Sequence, residues 1–234
     1  MLARPLLAMI AMLLLSAEPC VAAGLEVGVY LRSDGAASTP VLDAMKSELD
    51  MALRRAGFRM KWWRNGSPQA IEAEELIVVD LHGTCRIPQR IAPHVITGLQ
   101  LELASTSVVG KQVLPFSSVD CTTFNSLLSG SVLRAASDQR EQLYGRALGR
   151  VLAHEFYHVL AKTPKHTAKG VAKRAHSAAD LMADNFDFDS VALAQLLQHS
   201  ARHTNVPAKN QTGSENALEA LPEPAVSSTS DGRQ

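Results

Sequence analysis

His154, Glu155 and His158 stand in the run HEFYH, a spacing suited to metal-assisted hydrolysis. Two histidines four residues apart on a helix lie one above the other on one face, so both imidazoles reach a single ion. Neutral imidazole suits Zn2+, and a catalytic zinc keeps three protein ligands with one position open to water. A glutamate between two such histidines is placed to take a proton from that water and pass it to a leaving amine. The HExxH pattern therefore makes His154 and His158 the expected zinc ligands and Glu155 the expected general base.

A third ligand has to come from downstream. Glutamate is nearly excluded, because the next one after Glu155 is Glu215, and this argues against a site completed by Glu on a following helix. His166 lies beyond Pro164, which a helix cannot run through undisturbed, and a turn of chain there returns an imidazole to the ion. His166 is the expected third ligand, with His176 and Asp180 as rivals that a longer loop would deliver. Ser177 and Asp180 match a capping box poorly but put polar residues ahead of Leu181 and Met182. His176 and Tyr157 are the candidates to stabilise an oxyanion, although helical geometry tends to point Tyr157 away from the two histidines. Asp184, Asp187 and Asp189 lack the glycine and glutamate of a calcium-binding loop and read as solvated acids.

Several elements must position these residues. The active-site helix is expected over 138–161, where Leu143, Ala147, Leu148, Val151, Leu152, Phe156, Val159 and Leu160 form a broad apolar stripe. Upstream, Leu25 to Arg32 reads as a strand, Ser33 to Pro40 as a break, and Val41 to Ala56 as a helix ended by Gly57. Phe58 to Arg64 is a second strand, Asn65 to Pro68 a turn, and Glu75 to Leu81 a strand buried on both faces. One or two further strands are expected between Ile96 and residue 125, giving a sheet of four or five. A last helical stretch covers Val191 to Gln198. Folded structure is expected over 24–200, and 201–234, poor in aromatic residues and rich in Ser, Pro, Glu and Asn, reads as a disordered tail.

The chain has 234 residues, 46% hydrophobic and 20% charged, enough for one domain with a real core. Lys plus Arg and Asp plus Glu number 23 each, so no net field draws the protein to nucleic acid or an anionic membrane. Residues 1–23 combine Arg4, an apolar run from Leu6 to Leu15 and the small residues Val21, Ala22 and Ala23. That is the pattern of a secretory signal peptide cleaved after Ala23, and the run is short of the ~20 apolar residues of a membrane span. Glu18 and Pro19 argue against lipidation at Cys20. The expected destination is the periplasm or the outside of the cell, with no stable membrane insertion once the signal is removed. Cys85 and Cys121 then remain in an oxidising compartment and are expected to form a disulfide.

With these residues in view, the chain resembles the zincin metallopeptidases, within them the metzincin-like group in which three histidines hold the zinc. The stretches that carry the resemblance are HEFYHVLAKTPKHTAKGVA, from His154 to Ala172, and VLPFSSVDC, from Val113 to Cys121. They are similar to those of small exported bacterial proteins with a histidine eight residues after the second of HExxH. Typical metzincins place that histidine six residues on, with an intervening glycine, and offer a methionine beneath the metal; here Ala172 stands at that point, and Met182 is the nearest substitute. The resemblance implies an α+β, zincin-like fold: a mixed sheet with a backing helix and an active-site helix, and an edge strand beside the cleft that pairs with extended peptide or protein substrate.

The expected function is zinc-dependent peptide hydrolysis by an exported metallopeptidase. The alternative is a non-catalytic, zinc-stabilised binding or scaffold protein of the same fold. Retention of Glu155 disfavours the alternative, because a structural zinc site needs no base.

Overall fold

Alternation in the first strand sets the sheet. Leu25, Val27, Val29 and Leu31 are buried and Glu26, Tyr30 and Arg32 are not, as one-sided burial requires of β1 (Leu25–Ser33). The computed structural model describes residues 24–33, 37–64, 73–91 and 102–204. The expected signal peptide, the turn at 65–68 and the chain beyond Thr204 lie outside them.

Among the described residues the remaining strands are β2 (Phe58–Arg64), β3 (Glu75–His82), β4 (Ala104–Val109) and β5 (Gln112–Asp120). They form a five-stranded sheet in the order β2-β1-β3-β5-β4. Every neighbouring pair is parallel except β4 and β5, which are antiparallel and joined at Gly110 and Lys111, with Gly110 at φ 61°. The class is α+β with a mixed sheet. β3 differs from its expected burial on both faces: Ile77, Val79 and Leu81 are buried, but Leu76 is exposed and Val78 only half-buried. Its outer face carries Asp80, which receives the guanidinium of Arg32 from the neighbouring strand.

The helices are α1 (Thr39–Arg54), α2 (Cys121–Arg134), α3 (Arg140–Leu160), α4 (Ala178–Met182) and α5 (Ser190–Thr204). α1 begins earlier than Val41, because Ser38 caps it and Pro40 sits in its first turn, where no amide donor is needed. Its buried face is Val41, Leu42, Met45, Leu49 and Leu53, whereas Met51 points to solvent. α2 had no counterpart in the sequence reading. Its signal was nonetheless present: Asp120 accepts from the backbone amides of Thr122 and Thr123 at 2.8 and 3.2 Å, and Phe124, Leu128 and Val132 bury one face at intervals of four. α4 carries a complete capping box between Ser177 and Asp180, which corrects the poor match expected there. α5 begins at the N-cap of Asp189, whose Oδ1 accepts from the Ala192 amide at 2.8 Å, and runs to Thr204, past the expected domain boundary at 200. Asp187 meanwhile pairs with Arg55, so two of the three acids near 187 have structural partners.

α3 is the axis of the structure. Every residue from Ala147 to Leu160 is buried, so the helix is enclosed all round rather than along the expected stripe. It lies against α1 at two glycines. A Cβ on Gly145 would stand 2.3 Å from the Val41 carbonyl oxygen, and one on Gly149 would stand 2.5 Å from that of Met45. Next to this seam Arg150 donates to Glu48 of α1 at 2.6 Å and to the carbonyls of Leu181 and Ala183 at 3.0 and 2.6 Å. The buried guanidinium thus ties α1 and the end of α4 to α3 with its charge paired. Cys85, past β3, and Cys121, at the start of α2, form the expected disulfide with a Cα separation of 5.0 Å. No described helix is long and apolar enough to cross a membrane.

Candidate metal centre

The end of α3 shapes the site. Lys162 takes the left-handed conformation at φ 51°, and the amides of Lys162 and Thr163 reach back to the carbonyls of Val159 and His158 at 3.3 and 3.1 Å. This pair of bonds is a Schellman motif with lysine where glycine is usual. It turns the chain sharply, before Pro164 would have forced it to turn. The same reversal aims the Thr163 carbonyl at the Nδ1 of His158, 2.7 Å away. Further on, the Val171 carbonyl meets the Nδ1 of His154 at 2.8 Å.

Each carbonyl can only accept, so each Nδ1 carries the proton and each Nε2 presents a lone pair. The two Nε2 atoms face each other at 3.2 Å. In a tetrahedral zinc site with bonds of about 2.0–2.1 Å, neighbouring ligand nitrogens stand about 3.3–3.4 Å apart, so the spacing fits one ion. His166 completes the group: one ligating nitrogen from each of His154, His158 and His166 falls within 4.8 Å of the others. Its ring stacks near that of His154 and meets that of His158 edge-on, at centroid distances of 5.2 and 4.8 Å. The donor set, three imidazoles with two held in a fixed tautomer by backbone carbonyls, fits Zn2+.

Burial keeps the imidazoles neutral. It pushes His154 down to about 3, with the neighbouring histidines adding to the shift against the favourable bond to Val171. It also lowers His158, His166 and His176. Glu155 is moved the other way, up to about 7, by burial, while a hydrogen bond from Thr106 opposes the rise. That bond, from Thr106 Oγ1 on β4 to Glu155 Oε2, is 2.7 Å long, and Thr106 Oγ1 also lies 3.2 Å from Ser117 Oγ. One carboxylate oxygen is therefore pinned by the edge strand. Thr106 was missing from the sequence reading, since nothing local to it marks a contact with a residue so distant along the chain.

Neither rival for the third position joins the group of three imidazoles. Asp180 spends both carboxylate oxygens, one on Lys173 at 2.6 Å and the other on the Ser177 amide and hydroxyl at 2.8 and 2.6 Å. His176 lines the same cleft, but its Nε2 meets the Val171 carbonyl at 3.0 Å, and its buried Nδ1 has no hydrogen-bond partner among the described residues. Tyr157 is turned to α5, where its hydroxyl donates to Gln195 at 2.7 Å, so it is no candidate for an oxyanion donor. Met182, the expected substitute beneath the metal, packs against the hydrophobic core from α4. The cleft itself has a volume of about 440 Å3 and is walled by Ala104, Thr106 and Val108 of β4, by His154, Glu155 and His158 of α3, and by His166, Arg174 and His176 of the following loop.

No family model matches the chain, and no curated protein matches it. Among solved structures it is similar to the crystal structure of archaemetzincin from Methanopyrus kandleri, at 14% identity and a TM-score of 0.43, over 76% of this chain and 96% of that one.

Proposed function

We propose that this chain is a zinc-dependent peptidase in which His154, His158 and His166 hold the ion and Glu155 is the general base. The observation that carries the reading is the convergence of three imidazole nitrogens within 4.8 Å, on one cleft with a buried carboxylate. Bound there, Zn2+ supplies Lewis acidity toward a scissile carbonyl and toward water. Glu155 Oε2 is held by Thr106, which leaves Oε1 to take the proton of the attacking water and deliver it to the leaving amine. β4, which is an edge strand among the described residues and runs along the cleft, offers its outer backbone edge to an extended peptide or protein substrate. The disulfide supports an exported protein, because such bonds persist in oxidising compartments.

The test is Glu155→Gln in zinc-loaded protein with a library of peptides. Turnover is expected to fall by roughly 10²–10⁴-fold with zinc content unchanged; wild-type turnover in the variant would remove Glu155 from the mechanism. A second reading, a zinc-stabilised protein without turnover, is favoured by His176, whose ring lies 5.4 Å from that of His154 and whose Nδ1 lacks a partner among the described residues. As a fourth ligand it would close the site to water. The absorption spectrum of the cobalt-substituted protein separates the two: a change on His176→Ala supports closure, and an unchanged spectrum supports the open, catalytic site.

A further inference from the structure

A second group of ligands lies away from the cleft, on the face where α5 meets the start of β3. His199 and His203 are four residues apart on α5, so both rings point the same way, with centroids 4.6 Å apart. Glu75, the first residue of β3, presents its carboxylate to both. Its Oε1 is 3.1 Å from His199 Nε2 and 3.7 Å from His203 Nε2. The three ligating atoms fall within 4.8 Å of one another.

We propose that Glu75, His199 and His203 form a second site, for a divalent transition-metal ion of the zinc class, which fastens the last turn of α5 to the sheet. The distances of 3.1 and 3.7 Å bracket the spacing of about 3.3 Å between neighbouring ligands in a tetrahedral site with bonds near 2.0 Å. Two imidazoles and one carboxylate select such an ion over magnesium or calcium, which take oxygen ligands. The carboxylate is already oriented: Lys162 Nζ holds Oε2 at 3.1 Å, which turns Oε1 toward the imidazoles. His199 is fixed on its other side by the ring of Phe58, stacked at 6.2 Å. The ligands from α5 lie in its last two turns, and His203 is in the final one, where the C-terminal end of the helix dipole favours a cation.

The test is a zinc titration of the full chain against a chromophoric competitor, in the wild type, His203→Gln and Glu75→Gln. His203 is 42% exposed, so its replacement leaves the core intact, and circular dichroism checks the fold of each variant. The wild type is expected to bind one more equivalent than His203→Gln, and Glu75→Gln to weaken that same equivalent at least tenfold. Equal stoichiometry and affinity in the wild type and His203→Gln would overturn the proposal. So would loss in His203→Gln with none in Glu75→Gln, since the ion would then be held by the helical histidine pair alone. The difference between wild type and variants does not depend on whether the His154 site takes zinc, because that equivalent is common to all three proteins.

Discussion

Glu155 has two oxygens with unequal surroundings, and Thr106 creates the inequality. A hydrogen bond to a charged group contributes roughly 1.5–3 kcal/mol. If Thr106 holds Oε2 so that Oε1 is free to move the proton, Thr106→Val is expected to lower kcat roughly ten- to a hundredfold with zinc content unchanged. Thr106→Ser should restore most of the loss, and steady-state kinetics with metal analysis on the same samples checks both. His154, Glu155 and His158 were legible because one helical period fixes their relation. His166 was legible by its distance past a helix break. Thr106 was not, because β4 brings it to Glu155 through the order of strands in the sheet, and that order has no trace in a local window of sequence. The carbonyls of Thr163 and Val171 were equally hidden, since every residue type has one.

Among the elements, α3 shows what a periodic pattern conveys and what it omits. Its length and apolar stripe were readable, but its enclosure on all sides was not, because Gly145, Gly149 and Arg150 look like breaks in the stripe. They mark the side where α1 approaches too closely for larger residues, and where a paired guanidinium replaces an apolar contact. Gly149→Ala makes the point measurable. In an exposed helix that change stabilises by about 1 kcal/mol. Here the new Cβ would stand 2.5 Å from the Met45 carbonyl oxygen, and overpacking of this kind costs roughly 1–3 kcal/mol. Thermal denaturation is expected to show a lower Tm for Gly149→Ala, against the sign that helix propensity alone gives. α2 was lost to the sequence reading for another reason. One or two strands were expected up to residue 125, and the signal that a helix starts at Cys121 lies in the cap that Asp120 provides.

At the scale of the whole molecule, the Cys85–Cys121 bond closes a loop across a sequence separation of 36 and joins the end of β3 to α2. Loop-closure entropy for that length corresponds to about 4 kcal/mol, and native disulfides typically contribute 2–4 kcal/mol. Replacing both cysteines by serine is expected to lower the denaturant midpoint of unfolding, and added reductant should lower that of the wild type while leaving the double variant unmoved. The pairing was legible only through cysteine count and the reading of residues 1–23, since the sequence holds nothing that places β3 beside α2. The α+β class was what the resemblance implied, with the periodic segments supplying only the succession of strands and helices, whereas the strand order β2-β1-β3-β5-β4 rests on long-range packing that periodicity does not encode.

The two carbonyls that receive the imidazole protons of His158 and His154 belong to Thr163 and Val171, on either side of His166 in the chain. The segment carrying His166 is thereby latched at both ends to the rings of His154 and His158. If these three imidazoles hold an ion as proposed, its release is expected to need that latch to open, an event internal to the protein. Zinc loss to a chelator is expected to reach a plateau rate as chelator concentration rises, and a rate that climbs in proportion to chelator throughout would show that no such opening intervenes. The turn that positions the ligands would then also set how long the ion stays.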